Sequence, residues 1–385
     1  MTAPLADVIV VTLEQAVSAP FATRQLADLG ARILKIERPG EGDFARAYDT
    51  TVGGSSAFFV WGNRGKDSIE LDLKDEADRD RFERLVAGAD VFIQNLSPAA
   101  ASRAGVAAAQ MVERHPGLIA CDISGYGLDG PRTDDKAYDL AIQAEAGAMA
   151  LTGGADQVSK VGFSVADIAA GMYALTSILA ALRRRDRTGE GAVVEISMLE
   201  ALAEWTAPPV YAAASTGVVP TRAGHRHALI APYGVYPLRE GRQVLIAVQN
   251  AREWQLFADE VLRRPELADD PRFADNEARI ANVEALEVEI AAAFTAVPAD
   301  EIMARLTSAR IANGSVNDPL QLWEHEQLRA RDRFMTVTTP TGTAEVFRPP
   351  FNVSDCPDPR AAVPVLGDHD SGLIDELLRR AAEAD

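Results

Sequence analysis

Apolar residues in the first half of the chain fall into short unbroken runs separated by amphipathic stretches. Residues 7–12 (DVIVVT) form one such run, the pattern of a strand covered on both faces. After an irregular stretch to Pro20, FATRQLADLG (21–30) predicts a helix stopped by Gly30, and ARILKIERPG predicts a second strand ending at Pro39. Strand, helix and strand within about 30 residues make a βαβ unit and hence a parallel pair. The alternation then repeats: DSIELDL (67–73) predicts a strand, DEADRDRFERLVAGA a helix, DVFIQNL a buried strand, SPAAASRAG a loop, and PGLIACDISGYG a strand with a turn. This order predicts an α/β fold with an open, doubly wound, Rossmann-like parallel sheet.

From Asp167 the texture changes. DIAAGMYALTSILAALRRRDRTG predicts a long apolar helix with a basic last turn, capped by Gly189, and AVVEISMLEAL a strand running into a helix. Beyond Pro208 and Pro209, small residues and glycines predict a linker. Next come a strand (RQVLIAVQ), a helix (REWQLFADEVL), two further helices to residue 310, a strand-like tail (TVTTPTGTAEVFRPPF) and a final acidic helix. The expected division is a large α/β domain at 1–200 completed by the returning tail 335–385, a linker at 201–224, a smaller α+β domain at 225–325, and a return segment from 326. No internal repeat interrupts this plan.

The composition, 47% hydrophobic and 25% charged over 385 residues, is that of an ordinary globular chain. A net charge of -19 gives no reason to expect nucleic acid or a membrane surface as partner, although a local basic cluster can still hold an anion. Two cysteines, no basic-then-apolar leader, and no run approaching roughly 20 uninterrupted apolar residues predict a reduced, cytoplasmic protein.

The most conspicuous motif misleads. GYGLDG (125–130) matches the dinucleotide fingerprint G-x-G-x-x-G, yet Pro131 and RTDD follow it where a helix N-terminus is needed. The first βαβ loop, EQAVSAP, has no glycine, so Glu37 stands alone as a ribose-binding acid and a nicotinamide dehydrogenase is disfavoured. His225 and His227 lack a third ligand at metal spacing, Cys121 reads as a buried inert thiol, and no G-x-S-x-G elbow exists. Asp167, just before an apolar helix, reads on its own as an N-cap.

Eight segments in order carry a resemblance: ADLGARILKIERPGEGD (27–43), NRGKDSIELDLK (63–74), DVFIQNLSP (90–98), GYGLDGP (125–131), AYDLAIQAEAG (137–147), DIAAGMYALTSILAAL (167–182), TGEGAVVEISMLEAL (188–202) and APYGVY (231–236). Together they are similar to the family III CoA-transferases, the CaiB/BaiF group. The resemblance implies that Asp167 is a nucleophile, whose carboxylate a helix N-terminus would keep ionised. It also implies covalent transfer through an anhydride and an aspartyl-CoA thioester, with a CoA thioester and a carboxylic acid as substrates and no metal or permanently bound cofactor. Gln15, Ala16, Val17 and Ser18 would line the acyl site with Tyr138 and Asp139. Arg38, Lys74, Arg103 and Lys136 would meet the CoA phosphates, and Asn95 and Met198 its pantetheine or adenine. An interlocked homodimer is the assembly implied.

The related α-methylacyl-CoA racemases place a histidine where Tyr138 stands and a glutamate where this chain has Pro237. A phenol with an ordinary pKa of about 10 is a poor base at neutral pH and proline is none, so the two-base arrangement is broken. A non-catalytic acyl-CoA-binding scaffold is the other alternative; it would bind CoA without forming an adduct. No glycine-rich closing loop lies between residues 215 and 245; TRAGHRHALIAPYG would take that role, or the acyl group is larger. His225, Arg226 and His227 there would suit a second carboxylate, as in succinate, mesaconate, itaconate or citramalate; a solvated basic loop is the alternative.

Overall fold

A computed structural model describes residues 2–384. The chain divides into two compact units, one of Met1–Ala148, Lys160–Val218 and Leu328–Asp385, the other of Met149–Ser159 and Val219–Gln327.

The first unit is built on six parallel strands: β1 (Ile9–Leu13), β2 (Arg32–Glu37), β3 (Asp67–Glu70), β4 (Val91–Gln94), β5 (Ile119–Ser124) and β6 (Ala192–Ser197). Their order is β3-β2-β1-β4-β5-β6, with Val10 opposite Ile33 on one side and Val91 on the other. The α/β parallel sheet predicted from the apolar runs is therefore present, and its order reverses between β1 and β4. Alternate residues feed opposite faces, as a period of two requires. Val8 and Val10 join one core cluster, Ile9 and Val11 the other.

Seven helices follow the strands up to the first boundary: α1 (Ser18–Asp28), α2 (Ala57–Asn63), α3 (Glu76–Ala87), α4 (Pro98–Ala104), α5 (Ala108–Arg114), α6 (Asp139–Glu145) and α7 (Ala148–Leu151). The long α8 (Val165–Thr188) and α9 (Met198–Thr216) come next. Helices α1 and α8 cover one face with small residues, Ala19 and Ala22 against Ala166, Ala169, Ala170 and Ala174. Among the described residues, α8 alone is long and apolar enough to cross a membrane, and half of that apolar stretch is buried inside the protein.

Two local expectations are corrected. SPAAASRAG is helical rather than a loop, because Pro98 occupies the first turn, where its missing N–H is harmless, and Gly105 ends α4 in the left-handed conformation. The linker expected from residue 201 begins as helix: α9 runs to Thr216 through Pro208 and Pro209. Proline fixes a near-helical φ, and the alanine-rich stretch after it carries the helix to Gly217.

The second unit is α+β. Antiparallel β7 (Tyr233–Pro237), β8 (Gln243–Ala247) and β9 (Ala312–Ser315) are packed by α10 (Ala251–Leu256), α11 (Glu266–Asp269), α12 (Asn276–Ala281), α13 (Val283–Ala296), α14 (Ala299–Ser308) and the short α15 (Pro319–Trp323). Trp254, Phe257, Phe273 and Phe294 fill its core. After α16 (Glu326–Ala330), the tail forms the hairpin β10 (Phe334–Thr339) and β11 (Gly342–Phe347) and ends in α17 (Ser371–Ala384). Leu373 and Leu377 of α17 are buried with Phe82 and Leu85 of α3, so chain end and chain start share one core.

Candidate active site

In an open α/β sheet the natural crevice lies outside the carboxyl ends of the strands where their order reverses, here between β1 and β4. Both strands run straight into predicted site residues. Beyond β1 come Glu14, Gln15, Ala16 and Val17; beyond β4 comes Asn95. Asn95 ties the two ends together: its Oδ1 accepts from the Gln15 N–H at 2.9 Å, and its Nδ2 donates to the Gln15 carbonyl at 2.8 Å and to Ser18 Oγ at 3.2 Å. The Asn95 amide, expected at the pantetheine or adenine, holds this loop.

Asp167 belongs to the same place. Gly171, one turn further along α8, lets the helices close in; a Cβ there would lie 2.7 Å from the Ser18 carbonyl oxygen and 2.8 Å from Phe21. The Ser18 side chain faces Asp167 and works to lower its carboxyl pKa. It is partly open to solvent, whereas Val165 and Ala166 before it are buried.

The capping role read for Asp167 falls to another residue. The α8 N-cap is Ser164, without a side-chain cap, and Asp167 stands at the third helical position. Asp139 supplies the cap from α6: its Oδ1 accepts from the Ala166 N–H at 2.8 Å and, more weakly, from Asp167 N–H at 3.4 Å. Its Oδ2 accepts from Gln143 Nε2 at 2.7 Å. Gln143 is buried, and its Oε1 accepts from the Val161 N–H at 2.8 Å. Gln143 went unpredicted, although its spacing of four from Asp139 was a legible helical pair.

The electrostatics also differ from expectation. Burial pushes the Asp167 carboxyl up to about 7, the Asp139 charge adds to the rise, and the Ser18 side chain opposes it. A helix N-terminus favours an anion by about 0.3–1 kcal/mol, less than one pKa unit, so it does not keep this carboxyl fully ionised at neutral pH. Tyr138 is 71% exposed beside Asp139. Tyr48, which nothing in the sequence singled out, lies in the field of the same groups: burial raises its phenol, with Asp43, Asp167 and Tyr138 contributing.

The predicted phosphate contacts spread along the carboxyl edge of the sheet. Arg38 follows β2, Lys74 follows β3, Arg103 lies in α4 after β4, and Lys136 lies in the loop after β5. All four are exposed, and Arg38 stands 3.5 Å from Glu41. Met198 opens α9 directly after β6 and is buried in the core cluster. GYGLDG forms bends, and the next helix begins only at Asp139, so it presents no helix end to a pyrophosphate. Glu37 is committed to Arg46, Ser68 and the Asp43 N–H. Cys121 is buried in β5, and burial raises its thiol pKa well above the ordinary value. Among the described residues no group of His, Cys, Asp and Glu is arranged to hold a metal.

The segment 221–234 lies in the second unit. There His225, Arg226 and His227 line a cavity of about 590 Å³ with Tyr233, Tyr236 and Glu284. Arg226 Nε is paired with Glu287 Oε1 at 2.7 Å, and His227 stacks on Tyr233 at 5.0 Å.

Sheet order and connections define a doubly wound α/β protein, whose crevice between β1 and β4 is the candidate site. The chain belongs to CoA-transferase family III, whose profile matches residues 5–370, and it is a CoA-transferase. It is 34% identical to acetyl-CoA:oxalate CoA-transferase of Acetobacter aceti, over 99% of this chain and 97% of that one. Identity to succinyl-CoA:mesaconate CoA-transferase of Haloarcula hispanica is 32%, over 97% and 96%. A CaiB/BaiF family protein from Brucella suis, solved by crystallography, superposes with a TM-score of 0.87 at 32% identity, covering 98% of this chain and all of that one.

Proposed function

We propose that this CoA-transferase moves CoA from an acyl-CoA, with succinyl-CoA as the first donor to try, to a dicarboxylic acid of the mesaconate, itaconate or citramalate kind, by covalent catalysis on Asp167. The observation that supports this reading is the setting of Asp167: partly open to solvent, on the turn of α8 before Gly171, which packs against Ser18 where the loop after β1 enters α1. Dicarboxylates are favoured because the relatives at 34% and 32% identity are named for oxalate and mesaconate.

A carboxylate oxygen of Asp167 attacks the thioester carbonyl, and the tetrahedral intermediate expels CoA thiolate to leave a mixed anhydride. The thiolate then attacks the aspartyl carbonyl, giving an aspartyl-CoA thioester and releasing the donor acid. The acceptor carboxylate reverses these two steps and leaves with CoA, restoring Asp167. Overall one thioester is exchanged for another of similar energy, so no external energy source is needed. The raised pKa of Asp167 suits the work, because a poorly solvated carboxylate is more basic than one in water. Gln15, Ala16, Val17, Ser18, Tyr138 and Asp139 surround the acyl group, while Arg38, Lys74, Arg103 and Lys136 bind the CoA phosphates along the sheet edge. The enzyme works as a cytoplasmic homodimer; exposed Trp205, Val210 and Tyr211 on α9 support an assembled state.

Intact-protein mass spectrometry after mixing with succinyl-CoA tests the mechanism. A CoA-sized adduct on the Asp167 peptide is expected, released by hydroxylamine and missing in Asp167→Ala. CoA binding with no adduct from any thioester would refute covalent catalysis and favour the scaffold reading.

A further inference from the structure

The acyl loop rests on a buried polar network that the transfer chemistry does not use. Lys35 sits in the middle of β2 with a fully buried side chain, as do Glu14, Asp43 and Lys66. Lys66 Nζ donates to Glu14 Oε1 at 2.6 Å, Asn63 Oδ1 at 3.0 Å and the Pro20 carbonyl at 3.1 Å, which satisfies all three ammonium protons. Lys35 Nζ donates to Asp43 Oδ2 at 2.7 Å and to Asn63 Oδ1 at 3.0 Å, and stands 3.5 Å from Glu14 Oε1. Thr12 and Thr23 hydroxyls donate to the other Glu14 oxygen at 2.9 Å and 2.7 Å. Two carboxyl groups therefore meet two lysine amines, of which burial pulls Lys66 down to about 7 while, against burial, the Glu14 and Asp43 charges hold Lys35 above its usual range. Burial works to raise Glu14, but the Lys66 and Lys35 charges outweigh it and hold the carboxyl below its usual range.

The free end of this network points to the site. Asp43 Oδ1, the oxygen not held by Lys35, accepts from the Ala16 N–H at 3.1 Å and from the Ala45 N–H at 2.9 Å. Ala16 has a φ of +61, a left-handed conformation that an L-residue adopts at a cost of about 1–2 kcal/mol. Such a backbone persists only where its surroundings over-determine it. Here Asn95 holds Gln15 on one side and Asp43 holds Ala16 on the other, and two residues later Ser18 packs against α8 at Gly171, one turn from Asp167.

Stability alone does not account for so many buried charges. Replacing a buried ion pair with apolar residues of similar volume is often neutral or stabilising, so a network of this kind is better explained by the geometry it imposes. We propose that Asp43 is a positioning residue for the transfer reaction: anchored by Lys35, with Glu14 and Lys66 as the base, it fixes the Ala16 N–H and so sets where Gln15, Val17 and Ser18 stand against Asp167. The inference rests on Asp167 being the nucleophile. Asp43 itself touches no reacting atom.

The test compares the parent enzyme with Asp43→Asn and Asp43→Ala in single-turnover adduct formation from succinyl-CoA, in the split between kcat and KM, and in amide hydrogen exchange over residues 14–19. Misplacing a reacting centre by about 1 Å can slow a reaction by about 100-fold. Asp43→Ala is expected to lose about 30- to 100-fold in kcat, with KM for the thioester within about twofold and faster exchange confined to the loop. Asn keeps an acceptor for Ala16 but turns an amide NH2 toward Lys35 in place of the accepting Oδ2, so it should recover part of the rate, ending about three- to tenfold below the parent. Parent-like turnover and exchange in a folded variant overturn the proposal. So does a loss in which kcat, KM and the exchange of sheet amides move together, as a merely structural residue would give. If Asp43→Ala does not fold, Asp43→Asn is judged by the same criteria. A parent that forms no adduct, while loop exchange still responds to Asp43, overturns the nucleophile assignment and spares the loop contact.

Discussion

At the scale of single residues, two carboxyl groups one helix end apart have been given different work. Asp139 accepts the first free N–H groups of α8, and its charge together with burial raises Asp167 to about 7. In the proposed mechanism only the ionised Asp167 attacks, so kcat/KM for the first half-reaction should rise about tenfold per pH unit below 7 and level off above it. Asp139→Asn keeps an oxygen for the Ala166 N–H but removes the charge, and should move that limb to lower pH. A limb that does not move would show that the Asp139 charge is not felt. The same shift bears on stability. Asp167 has a folded pKa of about 7 against about 3.9 in an unfolded chain, so the folded protein holds the extra proton in that window. Stability therefore falls as pH rises from about 4 to about 7 and is not regained above. Asp167→Asn should raise the melting temperature more at pH 8 than at pH 5, while abolishing the adduct.

Elements meet the site through close approaches that only glycine allows. Gly171 lets α8 lie against the first turn of α1, and Gly88 does the same at the end of α3, where a Cβ would lie 2.0 Å from the Leu377 carbonyl oxygen of α17. Overpacking of this sort costs typically about 1–3 kcal/mol. Gly171→Ala and Gly88→Ala should both lower the melting temperature by a few degrees. Only Gly171→Ala should also slow adduct formation, because it pushes Ser18 away from Asp167. Equal turnover in the two variants would show that the helix spacing does not govern the site. The helix α6, with its Asp139–Gln143 pair, was hidden from a reading by apolar periodicity because it is short and half-exposed.

For the whole molecule, the returning tail matters as much as the first strands. Helix α17 closes the core over α3, and Arg380 on it reaches Asp90 at 3.0 Å, at the start of the crevice strand β4. The exposed apolar residues of α9 belong to the proposed dimer, which light scattering of the purified enzyme would detect as twice the chain mass. A monomer at micromolar concentration would refute that assembly. In such a monomer, Trp205→Ser and Tyr211→Ser would leave the mass unchanged; in a dimer they should raise its dissociation constant.

By itself the sequence determined the α/β alternation, the parallel sheet and the family, because unbroken apolar runs and ordered local motifs are written in neighbouring residues. It also carried one warning that was legible in principle: Lys35 stands between Leu34 and Ile36 in the middle of a strand flanked by other strands, and a charge there must find buried partners. What those partners are depends on Glu14, Asp43 and the Asn63–Lys66 turn arriving from three separate segments. The same holds for the exchange of roles between Asp139 and Asp167, which lie 28 residues apart. Burial, a neighbour's charge and a backbone held in a left-handed turn are properties of the packed chain. Only tertiary structure could decide that Asp167 is the carboxyl left partly open and Asp139 the one spent on a helix end.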